Sequence, residues 1–215
     1  YLNSTADVAG TGGAVTGTGQ LTVGTAGAGE LTVTADTGIN LVNVANNART
    51  VHLTNNATAG NVVYNSNVGA ANTLTVDGAN GFATGSFSVT EAAGSLTVSG
   101  SDIAANNGTI NLTAQGVDET LTLAAGATVG SGGGAITLTA DNMNLGSAGA
   151  GNAVNSVGGL VTLKPFAAAQ AIELGVGATD SATVLGIDNN ELGTITSTGG
   201  LTIGSVAHTG GITVV

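Results

Sequence analysis

The stretch that decides the fold is residues 96–138, LTVSGSDIAANNGTINLTAQGVDETLTLAAGATVGSGGGAITL. It contains four triads in which an apolar, a polar and an apolar residue alternate: Leu96-Thr97-Val98, Ile110-Asn111-Leu112, Leu121-Thr122-Leu123 and Ile136-Thr137-Leu138. Strict alternation over a short segment predicts a β-strand whose outer residues face a core and whose middle residue faces away. The segments between the triads are rich in Gly, Asn, Ala and Ser, and this composition is typical of turns.

The same triad recurs along the whole chain. Further copies are Leu21-Thr22-Val23, Leu31-Thr32-Val33, Val51-His52-Leu53, Leu74-Thr75-Val76, Phe87-Ser88-Val89, Met143-Asn144-Leu145, Ile172-Glu173-Leu174, Leu201-Thr202-Ile203 and Ile212-Thr213-Val214. Their spacing is irregular, but pairs of intervals add up to roughly 20–25 residues, the repeat length of many solenoids. We therefore predict an all-β fold, a parallel β-helix (β-solenoid) of roughly nine or ten coils, with residues 1–215 as one domain.

An antiparallel β-sandwich would also have short strands at similar spacing. The solenoid is favoured because the predicted core residues are uniformly small and aliphatic, and because no Trp or Tyr cluster could anchor two facing sheets. A stack of equivalent coils also requires the same motif from end to end. Asn doublets in the turns, such as Asn46-Asn47 and Asn189-Asn190, predict side-chain hydrogen bonds along the stack.

The composition excludes several classes of function. Only 7% of the residues are charged, the net charge is −11, and Arg49 and Lys164 are the only basic residues besides two His. Binding to nucleic acid or to an anionic membrane requires several Lys or Arg side chains. With no Cys, the chain can form neither disulfides nor thiolate metal sites. No apolar run approaches the ~20 residues of a membrane span, and since the chain begins at Tyr1 without a signal peptide, we expect a processed protein or part of a longer one.

The C-terminal part carries a more specific pattern. It consists of Ala135–Gly146, Gly159–Pro165, Gln170–Gly175, Val184–Ile195, Gly200–Ser205 and Gly211–Val214. This succession resembles the repeat regions of large bacterial surface proteins of the filamentous-haemagglutinin-like, β-strand-repeat adhesin group. Residues 1–130 resemble that group in composition and motif only. The resemblance implies a right-handed parallel β-helix that is exported and displayed at a Gram-negative-type cell surface, and it brings no catalytic residues.

We expect no catalytic residue, no cofactor and no metal, and therefore no enzyme. The closest acidic residues are Asp118-Glu119 and Asp188 with Glu191, and neighbouring residues on a strand point to opposite faces. Residues 188–191, Asp-Asn-Asn-Glu, could offer oxygen ligands to calcium, but a turn with an Asn ladder is favoured. His52 and His208 are far apart in sequence, and His52 holds the outward position of its triad.

The predicted function is a structural segment of an extracellular bacterial fibre or surface adhesin. We expect it to continue axially into more solenoid, through covalent extension or through contact with a copy of itself, because neither end shows a cap. The main alternative is an adhesin that binds host or matrix glycans, for which the chain offers few aromatic residues: Tyr1, Tyr64, Phe82, Phe87 and Phe166.

A polysaccharide-degrading β-helix enzyme and an ice-binding solenoid are less favoured functions. The enzyme would need clustered carboxylates with Lys or Arg nearby. Ice binding would need outward threonine pairs stacked in one file, and their unequal intervals predict that most do not stack. The pairs are Thr32/Thr34, Thr73/Thr75, Thr120/Thr122, Thr137/Thr139 and Thr194/Thr196.

Overall fold

The structure, a computed structural model, describes residues 5–10, 13–23, 29–56, 60–77, 80–82, 85–100 and 103–215. These residues form short β-strands, one 3₁₀ turn at Ala148–Ala150 and one helical turn, α1 (Asn189–Leu192). The strands are β1 (Thr5–Gly10), β2 (Val15–Gly17), β3 (Glu30–Ala35), β4 (Ile39–Leu41), β5 (Thr50–Asn55), β6 (Val62–Ser66), β7 (Thr73–Asp77), β8 (Asn80–Phe82), β9 (Phe87–Glu91), β10 (Ser95–Ser99), β11 (Ile103–Ala105), β12 (Ile110–Ala114), β13 (Thr120–Leu123), β14 (Thr128–Ser131), β15 (Ile136–Thr139), β16 (Asn142–Asn144), β17 (Ala153–Ser156), β18 (Val161–Lys164), β19 (Ala171–Leu174), β20 (Val184–Ile187), β21 (Ile195–Ser197), β22 (Leu201–Ile203) and β23 (Ile212–Val214).

The strands belong to three long sheets and one short C-terminal sheet. The first sheet has the order β1-β3-β5-β7-β10-β13-β16, the second β21-β17-β14-β11-β8, and the third β2-β4-β6-β9-β12-β15-β18-β22. The C-terminal sheet has the order β20-β19-β23. Every ladder between the strands given above is parallel, for example β10 with β13 and β12 with β15. The prediction of parallel strands is confirmed, and the antiparallel sandwich is wrong.

We call one pass of the chain through the sheets a layer, and the strand register gives the number of residues in each layer. Leu31 pairs with Val51 in the next layer, and most later layers have a similar or slightly greater length. The predicted repeat of roughly 20–25 residues therefore holds for most of the chain. The last layer is much longer, since Val161 pairs with Leu201. Because this layer also holds β19, β20 and α1, the third sheet contains eight strands among the described residues rather than nine or ten.

The core lies between the sheets and follows the triads. The outer residues of most triads are fully buried, as Leu96, Val98 and Leu121 illustrate, while the middle residues are partly exposed. The buried apolar side chains form one continuous cluster of Leu, Ile, Val and Ala with the rings of Tyr64 and Phe87. The pattern fails in the last layer, where Ile212 is 52% exposed, since β23 pairs with β19 alone among the described residues.

Glycines form a file at the corner between the second and third sheets. A Cβ atom on Gly108 would lie 1.6 Å from the carbonyl oxygen of Gly85, and one on Gly134 would lie 2.1 Å from that of Gly108. A Cβ on Gly159 would in turn lie 2.2 Å from the carbonyl oxygen of Gly134. These distances are too short for any side chain, so the layers can approach each other here only through glycine.

Polar side chains join successive layers at the corners. Ser131 Oγ donates to the carbonyl of Gly108 and accepts from the N–H of Gly134, and Ser156 repeats this arrangement one layer further on. At the corner between the third and first sheets, the side-chain oxygens of Asn46 and Asn47 accept hydrogen bonds from backbone N–H groups one layer away. The predicted hydrogen bonding of Asn along the stack is confirmed for this doublet.

Candidate functional site

The first candidate surface is the end of the stack formed by the last layer. Strands β21, β22 and β23 each have a strand neighbour on one side only among the described residues. Several apolar side chains in or next to these strands are uncovered: Leu201, Ile212, Val214 and Val215 are at least two-fifths exposed, and Val206, in the turn after β22, lies fully in solvent. We call these five residues the apolar end. Unpaired strand edges with apolar side chains are the typical contact surface for a further strand.

The second candidate is a crevice between β16 and β20. It has a volume of about 360 Å³ and is lined mainly by polar groups, including those of Asn144, Ser147, Asp180, Asp188 and Glu191. The two strands lie beside each other, but no backbone ladder pairs them. The first sheet is therefore interrupted between β16 and the C-terminal sheet.

Carboxylates join the two sides of this interruption. Asp180 accepts one hydrogen bond from the N–H of Met143 in β16, at 3.0 Å, and another from the N–H of Gly186 in β20, at 2.8 Å. The carboxylate of one side chain thus accepts hydrogen bonds from N–H groups of two neighbouring strands. Loss of hydration in the crevice raises the pKa of Asp180 to about 6, although the two N–H groups oppose the shift and much of the residue is accessible to solvent.

Glu191 makes the same kind of bridge. It accepts from the N–H of Leu145 at 3.0 Å and from the N–H of Asp188 at 2.9 Å. Burial raises the pKa of Glu191, and the nearby carboxylates of Asp180 and Asp188 raise it further. Two partly buried acids therefore replace part of the backbone ladder at the break in the sheet.

The calcium candidate, residues 188–191, lies at this crevice. Its favoured interpretation as a turn with an Asn ladder is wrong, since Asp188 and Glu191 form a capping box at the start of α1. Asp188 accepts from the N–H of Glu191 and from the side-chain amide of Asn190. Each carboxylate oxygen of Asp180, Asp188 and Glu191 thus already accepts an N–H. Among the described residues, no group of three or more His, Cys, Asp or Glu side chains is arranged to hold a metal ion.

The remaining acidic candidates form cross-layer bonds. Glu119 accepts from Ser95 Oγ at 2.7 Å, one layer away. Asp118, whose backbone φ is +66°, accepts from the amide of Asn142 at 2.8 Å. The two carboxylates therefore bind to different partners in different layers, and the structure does not bring them together as an acid–base pair.

The two histidines lie in unrelated surroundings. His52 occupies the outward position of β5, as predicted, with its Nε2 atom 2.9 Å from Glu30 Oε1. This partner could not be found from sequence, because it lies in the preceding layer. His208 lies in a turn of the last layer, and neither of its ring nitrogens has a hydrogen-bond partner among the described residues.

The five threonine pairs are distributed over all three long sheets, and the prediction that they face outward is wrong for Thr139 and Thr194, which are buried. Of the five pairs, Thr73/Thr75 and Thr120/Thr122 share two files on the first sheet, with Ser95 and Thr97 between them. The pair Thr32/Thr34 lies elsewhere on the same sheet, and Thr137/Thr139 lies on the third sheet. The prediction that most pairs do not share one file is confirmed.

Few aromatic side chains are available to stack on a glycan. Tyr64 and Phe87 are fully buried in the core, whereas Phe166 is 43% exposed. Tyr1 and the side chain of Phe82 lie outside what the structure describes. Glycan recognition remains a prediction from the resemblance.

No helix in the described part of the chain is long and apolar enough to span a membrane. Comparison with protein-family models, with curated proteins and with solved structures gives no match. The adhesin resemblance is therefore supported by the sequence pattern alone.

Proposed function

We propose that this chain is a structural segment of an extracellular bacterial fibre or surface adhesin. The observation that carries the proposal is the apolar end, where three strands lack a neighbour on one side among the described residues and five apolar side chains are exposed. Such a surface promotes association unless it is covered. A further layer of solenoid would cover it with the same parallel ladder that joins the layers within the chain.

The proposal includes a right-handed closed coil. From residue 73 to the end of β18 the chain visits the first, second and third sheets in constant order, four times in succession. A connection between parallel strands of one sheet is right-handed in about 98% of cases, because a right-twisted strand leads the chain back that way. A rod built in this way transmits force along its axis through every strand pair, as a fibre or an adhesin stalk requires.

An enzyme is not proposed. The acids that the structure brings together in the crevice are bonded to backbone N–H groups and to a side-chain amide, and the basic residues Arg49 and Lys164 lie in other parts of the chain. The proposed location, exported and displayed at the cell surface, is what the adhesin resemblance implies. Binding of host or matrix glycans to an outer face remains the alternative function.

The proposed partner of the apolar end is a β-solenoid layer, supplied by further residues of a longer chain or by a second copy. In either case strand addition would give main-chain hydrogen bonds, and Ile212 and Val214 would pack against the next layer. A contact between one end of a rod and the opposite end of another does not close on itself, so it extends into a filament.

The test compares two substitutions of equally exposed valines. Val214, in the apolar end, and Val117, in a turn on the side of the stack, are both 79% exposed. We expect the isolated chain to associate end to end, Val214→Lys to abolish this association, and Val117→Lys to leave it unchanged. Sedimentation velocity and negative-stain electron microscopy would measure it. Lateral clusters, or equal effects of the two substitutions, would contradict the proposed contact.

A further inference from the structure

Among the described residues, three buried polar atoms at one corner of the core have no hydrogen-bond partner. They are the hydroxyl of Tyr64, the hydroxyl of Ser66 and Oε2 of Glu91, and all three side chains are fully buried. Leaving a buried polar atom without a partner costs about 1–3 kcal/mol, and more for a charged group. Three such atoms together therefore require an explanation.

The register places these atoms beside one another. Ser66, at the end of β6, pairs directly with Glu91, at the end of β9, so their inward side chains lie in adjacent layers. Tyr64 lies two residues before Ser66 and therefore points to the same side of the sheet.

The pKa of the Tyr64 hydroxyl reflects the same neighbours. Burial raises this pKa well above its usual range, and the charge of Glu91 raises it further. The Ser66 hydroxyl and the backbone of Ala48 oppose the shift, so both also lie near the Tyr64 hydroxyl. Neither of them reaches it with the geometry of a direct hydrogen bond, since the Tyr64 and Ser66 hydroxyls both remain without a partner.

The second oxygen of Glu91 is satisfied. Oε1 accepts hydrogen bonds from the N–H of Val68 at 3.0 Å and from the N–H of Ala93 at 3.2 Å. The carboxylate is therefore anchored at the turn between the third and first sheets, while Oε2 has no partner in the part of the chain that the structure describes. Next to Glu91 in the register is Ala114 of the following layer, so a small side chain lies beside the carboxylate.

We propose that one buried water molecule occupies this corner and bridges Tyr64, Ser66 and Glu91. A buried water typically makes about three hydrogen bonds to polar groups that otherwise lack partners. It can donate to Glu91 Oε2 and to one hydroxyl oxygen, and accept from the other hydroxyl. These are the three bonds that the orphaned atoms need.

The surrounding carbonyls favour water over a cation. The carbonyl oxygens of Ser66, Val68 and Glu91 already accept hydrogen bonds from the turn or from the next layer. A bare cation such as Ca²⁺ needs about 6–8 oxygen ligands, whereas three side-chain oxygens remain here. Three bonds are sufficient for a water.

The buried orphan atoms of the asparagines do not form such a group. Oδ1 of Asn55, Asn142 and Asn152 also lacks a partner, but in each case the nitrogen of the same amide donates a hydrogen bond that holds the side chain. At the proposed site, by contrast, three side chains from two adjacent layers each have an oxygen without a partner at the same corner. The water would thus join two layers through their side chains, in addition to the backbone ladder.

A high-resolution crystal structure of the full chain is the direct test. The expected result is one solvent peak at ordinary hydrogen-bond distances from all three oxygens. A direct hydrogen bond from Tyr64 to Glu91 with no peak would overturn the proposal. A peak with five or more oxygen neighbours at shorter distances would identify a cation and would overturn it as well.

Variants give a second readout in solution. Tyr64→Phe and Ser66→Ala each remove one hydrogen-bond partner of the water. We therefore expect each variant to lack the signal of a long-lived water that magnetic relaxation dispersion detects in the wild type. Ser88→Ala, which removes an outward hydroxyl from β9, is the matched control and should leave that signal intact. Retention of the signal in both interior variants would contradict the proposed site. If an interior variant does not fold, the wild-type relaxation signal and the crystal structure still decide.

Discussion

Substituting one glycine of the corner file tests the stacking of layers most severely. In Gly134→Ala the new Cβ would lie 2.1 Å from the carbonyl oxygen of Gly108, against at least 3.4 Å for an ordinary contact. The two layers must therefore separate locally by roughly 1 Å, which an overpacked interior resists. That shift would stretch the ladder bond from Ile110 N to Ala135 O and the corner bond from Ser131 Oγ to Gly108 O, which are both 2.9 Å long.

Overpacking costs about 1–3 kcal/mol, and each weakened buried hydrogen bond up to about 1–3 kcal/mol more. We therefore expect Gly134→Ala to lower the free energy of unfolding by about 3–5 kcal/mol. The matched control is Gly130→Ala, on the outward side of β14, where the nearest atom to the new Cβ is 4.0 Å away. Its change should stay within ~1 kcal/mol.

Guanidinium unfolding followed by far-UV circular dichroism would measure both variants against the wild type. Equal midpoints for Gly134→Ala and Gly130→Ala would refute the close approach of the layers at this corner. A large loss in the Gly130→Ala control would show instead that any added methyl group disturbs the sheet.

Three further predictions concern the crevice, the core and proteolysis. The pKa of Asp180 is raised to about 6 in the folded state, so the protonated carboxyl stabilises the fold below pH about 4 and this contribution is lost as the pH rises through about 6. The free energy of unfolding of the wild type relative to Asp180→Asn should therefore fall between pH 4 and 7, as measured in parallel denaturation series. A difference that does not change with pH would contradict this prediction. Leu121→Ala removes a fully buried side chain and should cost about 2–5 kcal/mol by denaturation, whereas a loss below ~1 kcal/mol would contradict the packed core. Trypsin should leave the native chain intact on a gel, since Arg49 adjoins β5 and Lys164 ends β18 before Pro165, and rapid cleavage at either residue would contradict the ordered strands.

The sequence predicts most strands of the first sheet because each of their triads places a polar residue between two large apolar residues, and this alternation is visible in the sequence. Leu74, Leu96 and Leu121 follow one another in register, although the intervals between them differ. Turns of different length absorb these differences, so irregular spacing along the chain is compatible with regular stacking in space.

The second sheet is harder to find from sequence. Its strands Ile103–Ala105 and Thr128–Ser131 contain Ala, Gly and Ser, so they lack a contrast between large apolar and polar residues. Their strand character depends on neighbours in the adjacent layers rather than on local preference. The need for glycine at the corners after these strands is equally hidden in the sequence, because the close contacts that require it form only between layers.

The crevice could not be predicted either. Asp180 lies in a Gly- and Ala-rich segment without a triad, and its partner Met143 lies 37 residues earlier. The two approach each other because the last layer is lengthened by β19 and β20. The triad Ile172-Glu173-Leu174 predicts β19 as a strand, but nothing in the sequence indicates that this strand lies outside the three long sheets. The apolar end, in contrast, was predictable from the final triad Ile212-Thr213-Val214.

Distances along one outward file test the stacked parallel layers most directly. Thr50, Thr75, Thr97 and Thr122 follow one another in register on the first sheet. The chain has no Cys, so pairs of cysteines can be introduced and spin-labelled at these positions. Electron paramagnetic resonance should give a distance from position 50 that grows by about 4.8 Å at each successive position. A distance from 50 to 122 no longer than that from 50 to 75 would contradict the stack.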